Sequence, residues 1–434
     1  MAEELERDAV ELLQRLLRFN TVNPPGNERA AQEHLAALLA EVGFDCKLLG
    51  RTPERPNLIA RLDGTQEGPT LCLLGHVDTV SAEPSEWTHD PWSGDLADGF
   101  VWGRGALDMK GQVAAEVAAA CALARSGWRP ARGALLIVCV CDEEAGGGDG
   151  ARWLVDEHPD TVRCEWLVNE GGGGIIEYGD RRIYCVGTAE KGVYRFRLIT
   201  SGAAAHASMP RLGDNALVKL APLLERMAER QPEFDLTEDA RAFLEAIGEL
   251  GDGNPAAALA RVQSREPRLA PLLEPMLGVS LCPTRARASD LINVIPSHAH
   301  LDVDCRVPPG LDEEHVLRRI HALLGDGAYE LSFSERVPGN RSAPQTPLWD
   351  FIAAWINEHA PGSTCAPTML PGFTDSRTFR DAFPDCVAYG FAPHLMMTRF
   401  DADPLIHAAD ERIDVRDLQF AATFFRDLVA GMLG

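Results

Sequence analysis

The sequence predicts an α/β protein, a mostly parallel sheet flanked by helices, with an α+β sandwich inserted into it. Three observations carry that prediction. Short apolar runs at residues 70–75, 133–141 and 165–168 alternate with helical patterns, as buried parallel strands do. Near residue 188 the pattern changes to strands with one solvated face. From about 346 the apolar strand–helix code returns. The expected division is a first domain in two parts, 1–188 and 341–434, around an inserted domain at 189–340. The inserted domain itself has an extra Pro-broken, Glu-rich helical insertion at about 230–278.

Taken in order, residues 4–17 read as an amphipathic helix. The stretch TVNPPGNE breaks it, and Asn27 is expected to cap a second helix over 28–42. Strands follow at 57–62 and 70–75, then a long segment at 81–107 rich in Trp, Pro, Gly and Asp. A loop of that length is usually functional. A helix is predicted over 111–126, and strands at 133–141 and 165–168. In the inserted domain, strands are predicted at 193–200, 301–306 and 329–337, with helices at 214–229 and 311–324. A helix at 347–359, a strand at 386–391 and an amphipathic helix at 415–433 close the chain.

The chain has 434 residues and a formal net charge of −24. Its mean hydropathy is −0.12, that of a globular protein. The acidity argues against nucleic acid and anionic membranes, which select basic patches. No apolar run reaches the ~20 residues a membrane span needs, and the start MAEELERDAV has no signal stretch. The expected compartment is cytoplasmic. Eleven scattered cysteines without a CxxC pair read as free thiols. Cys139 and Cys141 share a strand face, but their apolar neighbours make them core residues before metal ligands.

The chemistry-bearing residues are His76 and Asp78, Asp108, the pair Glu143-Glu144, Glu170 and His407. Ligands bind beyond the carboxyl ends of strands in such sheets, and His76, Glu143 and Glu170 each follow an apolar run. A lone histidine or an isolated Glu-Glu pair is more often structural. Several carboxylates in one cleft, however, repel one another unless a cation neutralises them. Imidazoles with carboxylates suit zinc-like ions that keep water in an open position. Asp78, two residues after His76, can receive the imidazole N–H. Of two adjacent glutamates, one can bind metal while the other reaches the bound water as general base.

The motifs GHVDTV (75–80), RGALDMKG (104–111), CDEEAGG (141–147), VNEGGG (168–173), SGAAAHASMP (201–210) and LIHAADERI (405–413) occur in one order. Together they resemble the di-zinc family of aminoacylase-1, succinyl-diaminopimelate desuccinylase, acetylornithine deacetylase and carboxypeptidase G. The resemblance implies a zinc exopeptidase-like catalytic domain with an inserted lid. It implies two Zn2+ per chain, with Co2+ or Mn2+ tolerated. Asp108 would bridge them, His76 and Glu170 completing one site, Glu144 and His407 the other. Glu143 would be the general base and acid, with Asp78 orienting His76. A cis peptide is implied at Asp108–Met109.

In the lid, His206 would stabilise the oxyanion, commonly in a partner subunit's site, so the expected assembly is a homodimer through the lid. Asn293 and Arg306 would hold the substrate carboxylate. PGFTDSR (371–377) matches a substrate-side loop, with Gly372, Phe373 and Thr374 as contacts. Pro371 and Phe373 depart from the commoner GGTSD form, which argues against the polar acyl pocket of a desuccinylase. The function so implied is a metal-dependent amide hydrolase that releases an amino acid from an N-acyl-amino acid or a C-terminal peptide bond. A dipeptidase with the same site is the alternative, and it requires an acidic group for the free α-amine. A single-zinc enzyme and a non-catalytic metal-binding protein are the other classes; the latter predicts loss of Glu143 or a ligand, and all are present.

Overall fold

The computed structural model describes residues 2–229, 233–325 and 327–434. Residues 230–232, where the expected insertion begins, lie outside that set. Two compact units are present. The first comprises Met1–Thr188, Arg341–Thr368 and Thr374–Gly434; the second comprises Ala189–Asn340 and Met369–Phe373.

In the first unit, Thr70–His76 lies between Ala134–Val140 and Trp166–Asn169 and runs parallel to both. Val387–Gly390 adds a fourth parallel strand beside Trp166–Asn169. Every residue of Thr70–His76 and Ala134–Val140 is buried, as apolar strands covered on both faces must be. The margins are antiparallel: Asp45–Leu49 on Asn57–Asp63, and Asn57–Asp63 on Ala134–Val140. Helix Lys110–Arg125 is buried along most of its length. Its alanines let it pack closely with Ala2–Leu17 and Val415–Leu433, and these helices share one apolar core with the sheet. Among the described residues no helix is long and apolar enough to cross a membrane.

Two local expectations fail. Helix Arg29–Glu41 is not capped by Asn27; Glu28 occupies the cap position without a side-chain cap bond. Its carboxylate turns into the interior to meet Arg55 instead. The helix expected over 214–229 is shorter. Pro222 lacks an N–H and sits in the first turn of Ala221–Ala228, preceded by a single 3-10 turn at Val218–Leu220.

The second unit is built on an antiparallel sheet. His298–Val307 pairs Gly192–Val193 and Phe196–Ser201 in one continuous register on one side and Ser280–Arg287 on the other. Glu330–Phe333 pairs the far edge of Phe196–Ser201. Alternate residues Phe196, Leu198, Leu301 and Val303 enter a core shared with Leu223, Val316 and Ile320, the last two on helix Glu313–Leu324. The insertion forms helices Glu238–Ile247, Pro255–Arg265 and Ala270–Leu273, the first two capped by Thr237 and Asn254.

Candidate metal centre

Neighbouring parallel strands present their carboxyl ends along one edge of the first unit's sheet. His76 ends its strand, Glu170 immediately follows Trp166–Asn169, and Glu143 and Glu144 form a 3-10 turn just past Ala134–Val140. Asp108 arrives from the loop before Lys110–Arg125, and His407 from a loop where its own φ is +61°. The two oxygens of Asp108 face two different imidazoles. Oδ1 is 3.1 Å from His76 Nε2, and Oδ2 is 3.1 Å from His407 Nε2. Glu144 Oε2 lies 3.2 Å from His407 Nε2, and Glu170 Oε1 3.9 Å from His76 Nε2. His76, Glu143 and Glu170 offer atoms within 4.8 Å of one another, as do His76, Asp108 and Glu144. The Asp108–Met109 peptide is cis.

Asp78 faces His76 with both its backbone and its side chain. His76 Nδ1 is 3.0 Å from the backbone carbonyl of Asp78 and 3.6 Å from its carboxylate. A carbonyl can only accept, so the close contact places the Nδ1 proton there and leaves Nε2 facing the cluster. The carboxylate also accepts the backbone N–H groups of Glu143 and Glu144, both at 3.2 Å, and Nδ2 of Asn23 at 2.9 Å. It holds the Glu-Glu turn as well as the strand end.

The cluster's electrostatics test whether cations fit it. Burial pushes the Glu143 carboxyl well above its ordinary range, and the Glu170 charge adds to this. Burial, then Asp108, does the same to Glu170. His407 is raised to about 10 by its hydrogen bonds to Asp108 and Glu144. Burial opposes charge on Asp108, yet the His407 and His76 contacts hold its carboxyl low. The cluster therefore calls for compensating positive charge. Oxygen and imidazole donors crowded around one shared carboxylate are a donor set that would fit two divalent cations.

Several supporting residues carried no sequence signal of their own. Asp142, in left-handed conformation at φ +70°, accepts from Asn23 and from Arg55 Nη1 at 3.0 Å. Arg55 also grips the fully buried Glu28. Asn169 Nδ2 lies 3.3 Å from Thr374 Oγ1, which ties Thr374 to the residue just before Glu170. Thr374 also caps helix Asp375–Ala382. Asp375 is buried, and its charge contributes to raising both Glu143 and Glu170. Arg55 lies outside every motif, and the clue to the others was their place inside one.

Within the second unit, His206 and Asn293 are neighbours. His206 pairs with Val294, and the Ala207 N–H donates to the Asn293 carbonyl. Both residues are exposed. The backbone N–H of Ser208 points at His206 Nδ1 at 3.2 Å. Nδ1 is then the acceptor, and a neutral ring carries its proton on Nε2. Arg306 lies on His298–Val307 and is paired with Asp304, Nε donating to Oδ1 at 2.7 Å. Gly372 and Phe373 follow strand Ser363–Leu370, with Phe373 exposed.

The profile of peptidase family M20/M25/M40 matches residues 72–431. A succinyl-diaminopimelate desuccinylase of Cereibacter sphaeroides is 31% identical, over 95% of this chain and 95% of the relative. A probable carboxypeptidase S-like protein of Dictyostelium discoideum is 25% identical, over 83% of this chain and 71% of the relative. Among solved structures, an M20 family metallo-carboxypeptidase from Sulfolobus solfataricus superposes with a TM-score of 0.69 at 17% identity. That alignment covers 97% of this chain and 98% of the other. Likeness sustained from the first strand-end histidine to the closing helix makes this protein a member of peptidase family M20/M25/M40, a metal-dependent hydrolase of amide bonds.

Proposed function

We propose that this protein releases an amino acid from an N-acyl-amino acid or from a C-terminal peptide bond. The observation that carries the reading is the shared Asp108 carboxylate, each oxygen 3.1 Å from a different imidazole. On this reading His76 and Glu170 hold one cation, His407 and Glu144 the other, and Asp108 both. Zinc suits the donors, and Co2+ or Mn2+ would be accepted by the same set. When bound, two such ions acidify a shared water and polarise the amide carbonyl.

The chain's own residues do the rest. Glu143, bracketed by the Asp78 carboxylate that fixes its backbone, accepts the proton of the attacking water and returns it to the leaving nitrogen. His206 donates from Nε2 to the carbonyl oxygen as negative charge develops there. Arg306 and Asn293 receive the α-carboxylate of the released amino acid, the planar guanidinium matching it in bidentate fashion. Gly372, Phe373 and Thr374 contact the acyl side, and Phe373 supplies an apolar surface for it.

The active form is a homodimer through the second unit. Met209, Leu212, Val218, Leu291 and Ile292 are exposed in segments around the His206–Asn293 pair, and solvent is a poor partner for them. A second copy of the chain would cover them and lend its His206. Eleven free cysteines, mostly buried, suit a reducing cytoplasmic compartment.

The test has two arms. Metal analysis of the active protein should return two ions per chain, and one ion with full activity would overturn the bridging role of Asp108. Rates on N-acetyl-, N-succinyl- and N-fatty-acyl-amino acids should exceed those on free dipeptides. The reverse order would make the protein a dipeptidase.

A further inference from the structure

We infer that Glu411 is a positioning residue for the metal centre, holding the loop that delivers Asp108 and tying it to the loop that delivers His407. The inference rests on the metal reading above and adds a residue to it. Glu411 is fully buried. Its Oε1 accepts the backbone N–H of Asp108 at 3.0 Å and of Leu107 at 2.7 Å. Its Oε2 accepts the backbone N–H of Gly105 at 3.0 Å and Nη1 of Arg104 at 2.6 Å. The same guanidinium donates from Nη2 to the carbonyl of Ala408 at 3.0 Å, next to His407.

An ordinary buried ion pair needs only Arg104 and Glu411. Here three of the four donors are amides of the five-residue stretch ending at Asp108. One of them is the N–H of the bridging aspartate itself. A carboxylate is required because four donors converge on two oxygens and none of them can accept. A glutamine would turn two amide hydrogens towards those N–H groups. Gly105 fits the arrangement, with φ at +94° and an added Cβ falling 2.9 Å from Thr79 Cγ2. The loop therefore approaches Thr79 too closely for a side chain at Gly105, while Glu411 holds its backbone N–H groups. Glu411 lies four residues beyond His407, so one short segment contributes a ligand and the brace of another ligand.

The experiment titrates Co2+ into the metal-stripped full-length chain by calorimetry. It also records melting temperatures with and without the metal, for the parent, Glu411→Gln and Arg104→Lys. Glu411→Gln should bind Co2+ about 10–100-fold more weakly, as loss of a residue behind a metal ligand commonly does. The rise in melting temperature on metal loading should shrink with it. Arg104→Lys keeps the charge but loses the fork to Ala408, and should weaken Co2+ binding by a smaller factor. A purely structural role predicts something else: both variants melt lower, yet Co2+ affinity and the rise on loading match the parent. That outcome overturns the inference while leaving the metal reading intact. Should Glu411→Gln not fold, unchanged Co2+ affinity in Arg104→Lys overturns it alone. A parent chain that binds no Co2+ would overturn the metal reading, and this inference with it.

Discussion

The sheet edge of the first unit and the short His206–Val294 strand pair of the second treat polar side chains in opposite ways. At the sheet edge His76, Asp78, Asn169 and Glu411 are buried, and each is held by several partners. At that strand pair His206 and Asn293 are exposed, beside exposed Leu291 and Ile292. The first region meets its hydrogen-bond requirements largely within itself, while its clustered carboxylates call for cations. The second presents a donor and apolar surface to something else. Ligands that must hold cations at fixed distances need rigid support, whereas a group that meets the substrate late needs access. The two regions should therefore fail differently when altered.

The largest effect belongs to Glu143→Gln. Removing a group that moves a proton in the transition state should lower kcat about 10²–10⁴-fold. Metal content, measured by elemental analysis, should stay at the parent level. A kcat within tenfold of the parent would move the general base elsewhere.

His206→Ala should come next, lowering kcat about 10²–10³-fold with metal affinity unchanged, since one oxyanion donor is worth that much. Mixing the two inactive variants sharpens the comparison further. If His206 serves the partner's site, a mixed dimer joins an intact Glu143 with an intact His206 and regains activity. If it serves its own site, no mixture does. Recovery on co-refolding would settle which, and an unchanged kcat in His206→Ala alone would confine catalysis to the first unit.

Asp78→Asn probes the support of the sheet edge. An amide in place of the carboxylate sets hydrogens against the N–H groups of Glu143 and Glu144. Loss of such support should cost about 10–100-fold in kcat or metal affinity. The His76 tautomer should survive, because the backbone carbonyl of Asp78 is the closer partner of Nδ1. If Asp78→Asn matched His76→Ala instead, the carboxylate would be the group that orients the ring.

How much of this was legible in the sequence follows from the range of the forces involved. His76, Glu143 and Glu170 could be placed because apolar runs end just before them, and strand-end geometry brings such residues together. Helices at 347–359 and 415–433 were legible for a similar local reason, and they span Pro347–His359 and Val415–Leu433. His407 has no strand before it, and only its motif marked it. Glu411 and Arg104 stand 307 residues apart, and no local pattern announces such a pair. Asn27 failed as a cap because the helix begins at Arg29, which puts Glu28 at the cap position with its carboxylate bound to Arg55. Strand Ser280–Arg287 went unread because Pro283 argues against a strand. The structure accommodates it with a register shift between Pro283 and Arg285.

The smallest effect is expected at Arg306, and the reason lies in its neighbour. Its guanidinium already faces Asp304, which also accepts from Arg195 Nε at 2.9 Å. A substrate carboxylate must share that guanidinium with a carboxylate two residues away. The net gain from binding is smaller than for an isolated arginine. Arg306→Ala should therefore raise KM for carboxylate substrates by only about tenfold, ~1.4 kcal/mol, with kcat little changed. Asp304→Asn should act in the opposite direction, lowering KM, because the guanidinium then has one competitor fewer. Measuring KM for an N-acyl-amino acid and for its carboxamide analogue separates the roles. If Arg306→Ala raised both equally, the arginine would be holding its strand together with Asp304 and Arg195, and the α-carboxylate would be bound elsewhere.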